Sequence, residues 1–256
     1  MNSRIATMAR YALLEALRTR FAALVLAAVA MLLLASVFVE TLAVTEGARF
    51  QAAFYAASMR LAAIFIAGLY VLVSIAREFN DKGFDILLAL DLPRAHYVLG
   101  KLGGFLALAV LIAAIASLPL FWFAPPGAVI QWAVSLALEL AIMVALALFC
   151  MLTFSQLVPA ASFVLAFYLL ARSITAIRLM GAHPLVGTDS LSHQVISGMV
   201  ETLALVMPAF DTWTQTAWLV NEAAAWPTLL QIGGQSVVYL VLLTAAAMFD
   251  LYRKNF

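Results

Sequence analysis

The sequence predicts an all-α membrane protein with six transmembrane helices, and three observations lead there. Of its 256 residues 66% are hydrophobic and only 11% are charged, and the mean hydropathy is +1.07. That is too little charge to clothe a soluble domain of this size. The apolar residues fall in runs of about 20, the length that crosses ~30 Å of hydrocarbon at 1.5 Å per residue. The runs lack the alternation of a membrane barrel, and helices are the other way to satisfy a backbone in lipid.

The first element is an N-terminal helix over residues 1–20. Ile5, Met8, Ala9, Ala12 and Ala16 share one helical stripe, with Arg4, Glu15 and Arg18 away from it. This pattern predicts an amphipathic helix lying in the membrane interface. Twenty residues of this kind precede the apolar run Phe21–Ala35 and do not make a simple basic leader, so a cleaved signal peptide is not expected.

The spans are expected at Phe21–Val44, Phe54–Ala76, Tyr97–Phe121, Ala128–Phe154, Ala160–Ile177 and Leu229–Leu251. Pro125, Pro126 and Gly127 stop the third, and Pro159 punctuates the joint between the fourth and fifth. No linker divides the chain, which predicts a single transmembrane domain over residues 1–256. The segment Arg178–Pro227 is long and mixed. Val195–Val206 is apolar but too short to span, Pro208 ends it, and Trp213, Trp218 and Trp226 suit the headgroup layer. Short interfacial or re-entrant helices capping the spans are expected, with a seventh span the competing reading.

Orientation follows from the basic residues. With both termini in the cytosol, Arg4, Arg10, Arg18, Arg20, Arg77, Lys82, Arg94, Lys101, Arg253 and Lys254 lie on that side. Arg49, Arg60, Arg172 and Arg178 remain for the outer half.

Composition also excludes several classes. The single Cys150 permits neither an intramolecular disulfide nor a paired-cysteine metal or redox site. The basic residues are dispersed and build no nucleic-acid face. An intramembrane protease would place a serine and a histidine inside spans, yet His96, His183 and His193 all fall outside them. His183, His193 and Met180 are soft enough to hold a metal, but isolated loop histidines seldom do, and no metal is expected. No inverted repeat or broken helix pair signals a secondary transporter.

Between the second and third spans runs Arg77–Arg94. Asp81 can accept from free N–H groups at a helix start and Pro93 ends the segment. Phe84, Leu87 and Leu88 stand at i, i+3 and i+4, a ridge suited to a partner's groove or to the protein's own spans. The order Glu78, Gly83, Leu87-Leu88, Pro93-Arg94, Tyr97, Gly100-Lys101 resembles the stretch after the second transmembrane helix of ABC-2 type transporter permeases. Phe84-Asp85 departs from that family's more usual run. The leading helix, six spans, the "MPAFDTW" stretch and the basic tail agree more loosely.

The resemblance implies a type V-like half-transporter in the bacterial inner membrane. Two copies would pair, and each would seat a cytosolic coupling helix in a separate ATP-binding subunit. Glu78, Gly83, Phe84, Leu87, Leu88, Pro93 and Arg94 would carry that contact. ATP and magnesium would belong to the partner, because Gly100-Lys101 lacks the upstream glycine and following hydroxyl of a phosphate-cradling loop. This chain would be no enzyme. It would export a lipid, glycan or hydrophobic compound, or pass motion to an extracytoplasmic protein without moving cargo.

Arg60, Glu139 and Arg172 lie within or at the edges of the spans. Each costs at least ~2.5 kcal/mol near the bilayer centre, so each should face protein or water. Their expected depths agree within ~10 Å, which predicts one outer-half cluster. Two roles fit it: a structural ion pair, or a gate that contacts polar substrate groups. Gly100 and Gly104 offer a small-xxx-small face for close helix packing, including dimerisation.

Overall fold

A computed structural model describes residues 2–42, 46–80, 94–182, 191–221 and 225–253. These are helical nearly throughout, and no strand occurs among the described residues. Six helices are long and apolar enough to cross a membrane. They are α2 (Phe21–Leu42), α3 (Gly47–Asn80), α4 (Arg94–Ser117, prolonged by a 3-10 turn to Trp122), α5 (Pro126–Phe154), α6 (Leu157–Ala182) and α9 (Trp226–Arg253). The remaining helices are α1 (Asn2–Arg18), α7 (Leu191–Val206) and α8 (Ala217–Val220), with a 3-10 turn at Phe210–Thr212.

All six expected spans are helices, and the differences lie at their ends. The second begins seven residues earlier than hydropathy suggests, at Gly47. Arg49 and Gln51 interrupt the apolar run without interrupting the helix, and Gln51 is buried with its amide 3.5 Å from the Ser36 hydroxyl of α2. The joint between α5 and α6 is only Ser155-Gln156. Ser155 takes a left-handed conformation (φ 56°), and its N–H closes on the Met151 carbonyl at 3.0 Å. Pro159 therefore sits in the first turn of α6, where a missing N–H costs nothing, and not in the joint itself.

Helix α5 is the centre of the bundle. Of its apolar stretch 78% is buried, against 11% in α2 and 17% in α9. It packs on α3, α4, α6 and α9, whereas α2 leans mainly on α3. Leu26, Met31, Leu34 and Phe38 of α2 and Leu230, Val237 and Val241 of α9 are exposed, as befits surfaces whose solvent is lipid. Buried apolar residues form one continuous cluster from α1 to α9, and Cys150 lies within it, fully enclosed.

The stripe on α1 packs against protein. Ala12 and Ala16 are buried, and the stripe meets the first turns of α4 at its glycines. A Cβ at Gly104 would lie 2.6 Å from both the Ala12 Cβ and the Ala9 carbonyl oxygen, and one at Gly100 would lie 2.6 Å from the Met8 Cβ. The small-xxx-small face thus serves packing within the chain, letting α1 approach α4 to backbone contact. Tyr11 and Leu17 point away from that contact and are exposed.

Consecutive spans alternate in direction, so the bundle has two ends. At the α1 end lie α1, the last turns of α3 and α9 and the first turns of α4. At the far end lie the starts of α3, α5 and α9.

Candidate functional site

The three expected intramembrane charges converge. Glu139 lies near the middle of α5, thirteen residues from its start, and is wholly buried. Its Oε1 stands 3.7 Å from Nη1 of Arg172 on α6. Arg60 of α3 approaches the same centre, and the buried Tyr168 of α6 faces all three charges.

What sequence reasoning missed is the fourth wall. The segment between α7 and α9 dips inward to Glu139, and its backbone supplies acceptors for both arginines. Arg172 donates to the Phe210 carbonyl and Arg60 to the Thr214 carbonyl. The Thr214 hydroxyl donates to Glu139 Oε2 at 2.6 Å, and Ser135, one turn before Glu139, hydrogen-bonds Thr214 at 3.2 Å. Thr175 Oγ1 donates to Asp211 at 3.0 Å, fixing the same turn to α6. Non-helical backbone at this depth is tolerated only where protein satisfies it, and the two guanidinium groups do so. Each arginine thereby compensates both a buried carboxylate and an open peptide carbonyl.

Burial of this segment corrects one expectation. Trp213 and Trp218 do not sit in the headgroup layer: Trp213 is 1% and Trp218 7% exposed, and Trp213 packs edge-on against Phe210 at 5.3 Å. Their rings fill the space between the spans where the chain dips in. Trp226, at 69% exposure, is free to occupy an interface.

A polar line runs along α5 toward the cluster. Gln131, Ser135 and Glu139 stand at i, i+4 and i+8, one face of the helix, and all three are buried. The Gln131 side-chain oxygen and the neighbouring Trp132 N–H have no hydrogen-bond partner. Tyr168 also lines an apolar groove of about 240 Å³ between α3 and α6, floored by Met143.

A second constellation occupies the α1 end. The Glu78 carboxylate accepts from the Tyr97 hydroxyl at 2.6 Å and from the Lys101 ammonium. Lys101 is also 3.7 Å from Glu15 of α1, which in turn accepts from Ser74 at 3.3 Å. Arg94 donates to the Leu251 carbonyl at 2.7 Å, at the end of α9. Nearby, the Thr153 hydroxyl of α5 meets the Asp250 carboxylate of α9.

Of the residues expected to couple to an ATPase, Glu78 and Arg94 are engaged with neighbouring helices of the same chain. Gly83, Phe84, Leu87, Leu88 and Pro93 lie outside the described residues, as do the side chains of His183 and His193. Among the described residues no group of three metal-ligating side chains assembles.

Compared with known protein families and with curated proteins, the chain matches none.

Proposed function

We propose that this chain is the transmembrane half of an ATP-driven exporter of the ABC-2 kind, pairing with a second copy and with two copies of a separate ATPase. The observation that carries the reading is the motif from Glu78 to Lys101, together with where its described members lie. Glu78 is 19 residues from Tyr97 and 23 from Lys101 along the chain, yet the three share one hydrogen-bonded cluster that brackets both ends of residues 81–93.

That arrangement suits a force entering through the bracketed segment. Glu78 is on α3, Tyr97 and Lys101 are on α4, Glu15 is on α1, and Arg94 holds the end of α9. A push on the segment is therefore shared by four helices, and the spans act as levers. In this reading the α1 end faces the cytosol of a bacterium, Gly83, Phe84, Leu87, Leu88 and Pro93 form the docking helix, and ATP with its magnesium stays on the partner. The chain catalyses nothing itself. The apolar groove beside Tyr168, which leads to a charged cluster, fits cargo with a hydrophobic body and a polar head.

The test replaces Phe84 and Leu87 with Asp and co-expresses the chain with an ATP-binding-cassette ATPase subunit that co-purifies with the wild type. Loss of ATPase co-purification, with the permease still folded in the membrane, is the expected result. An undisturbed complex sinks the docking assignment.

A further inference from the structure

A cleft of about 330 Å³ opens where α1 turns into α2, against the last turns of α3. Its chemistry changes along one direction. Arg20 and Arg77 stand at the polar rim, both exposed, and among the described residues neither makes an ion pair. Leu24, Ile66 and Leu69 line the inner part, and Leu24 and Leu69 are about half exposed on the lipid-facing side. Arg77 and Ile66 are eleven residues apart on the same helix, roughly 16 Å at 1.5 Å per residue. That matches the ~15 Å depth of one leaflet's hydrocarbon.

From this we infer that the cleft is a binding site for an anionic glycerophospholipid, its phosphate held by Arg20 and Arg77 and one acyl chain lying along Leu24, Ile66 and Leu69. Two guanidinium groups converging on one rim match a phosphodiester, since each can donate two hydrogen bonds to its oxygens. Glu15 shares the rim, but its carboxylate accepts from Ser74 and faces Lys101, so among the described residues the two arginines remain the uncompensated charges. A soluble anion would satisfy the rim and leave the apolar floor unfilled, and a neutral hydrocarbon would do the reverse. The inference stands apart from any ATPase partner.

Native mass spectrometry of the detergent-purified chain, titrated with dioleoylphosphatidylglycerol and separately with dioleoylphosphatidylcholine, tests it. The wild type is expected to retain phosphatidylglycerol preferentially. The double variant Arg20→Ala/Arg77→Ala should bind it roughly tenfold more weakly or worse, given the contribution of each basic residue near a membrane surface. Arg10→Ala/Arg18→Ala, which removes two charges outside the cleft, should bind as the wild type does. Ile66→Trp, which fills the apolar part and keeps both arginines, should also lose the lipid. Equal retention by the Arg20/Arg77 variant overturns the proposal, as does glycerol phosphate binding as tightly as the whole lipid. Because both arginines are exposed, that variant folds whether or not Ile66→Trp does.

Discussion

The α1 end of the bundle and the cluster around Glu139 are fastened in different ways. At the α1 end most fastenings join side chain to side chain, Glu78 with Tyr97 and Lys101, Glu15 with Ser74, Thr153 with Asp250, and Arg94 adds a hold on the Leu251 carbonyl. In the cluster around Glu139, on the far side of the bundle's middle, side-chain contacts from Thr214 and Arg172 are joined by two charged side chains that grip backbone, Arg60 and Arg172 on the carbonyls of Thr214 and Phe210. Side-chain pairs can exchange partners through rotamer changes. A backbone carbonyl moves only with its chain. The larger share of the α1-end contacts can thus be exchanged by rotamer changes, whereas the two carbonyl bonds of the Glu139 cluster move only with the chain.

The largest effect should come from breaking the Glu139 cluster. Arg172→Ala leaves Glu139 without its ion-pair partner and Phe210 without a donor. Removing one member of a buried pair costs about 3–5 kcal/mol, so thermal unfolding in detergent should shift down sharply. An unchanged melting temperature would show that this cluster is not fastened by charge. Glu139→Gln sharpens the point, because an amide oxygen can still accept from Thr214 while the negative charge is gone. Normal assembly with lost transport marks the cluster as functional, whereas failed folding marks it as structural.

The next effect belongs to the close approach of α1. Gly104→Ala places a methyl against the Ala9 carbonyl and the Ala12 Cβ, neither of which is the end of a flexible side chain. Forced overpacking of this sort costs roughly 1–3 kcal/mol, and protease sensitivity at residues 18–21 should rise as α1 lifts. Gly103→Ala serves as the control, since its Cβ would meet Ala9 at an ordinary 3.5 Å. Equal behaviour of the two variants would refute the packing account.

A smaller effect is expected for the α1 end. A double-mutant cycle on Glu78→Gln and Lys101→Met should return a coupling of about 1 kcal/mol, within the range for contacting residues. Smallest of all is Thr153→Val, for which about 0.6 kcal/mol is typical of a hydrogen bond between membrane helices. If the cycle returned as much as Arg172→Ala, the contrast between the two regions would collapse.

How much of this could be read from residues alone depends on where the information sits. Spans are written in local composition, so the expected Phe21–Val44 and Ala128–Phe154 differ from the observed Phe21–Leu42 and Pro126–Phe154 by two residues at one end each. Charges in apolar runs announce themselves, and Arg60, Glu139 and Arg172 could be expected to meet. Their backbone acceptors could not. Phe210, Thr212 and Thr214 carry no periodicity, and only the tertiary path of the chain decides that Thr214 lies beside Glu139. Trp213 and Trp218 failed for a related reason, because an indole suits a membrane interface and a packed interior equally well. The stripe on α1 was read correctly as apolar, but small residues facing Gly100 and Gly104 favour a helix partner over lipid.

One further consequence lies in α3, which among the described helices alone contributes a charged residue to both clusters. Arg60 and Glu78 are eighteen residues apart, which is about 27 Å and five whole turns at 3.6 residues each. The two side chains therefore leave the helix in the same compass direction. A rigid twist of α3 about its own axis would therefore swing both side chains in the same sense and by the same angle. The two side chains stand like the throws of a crankshaft set in phase, and only a change in winding between residues 60 and 78 would put them out of phase.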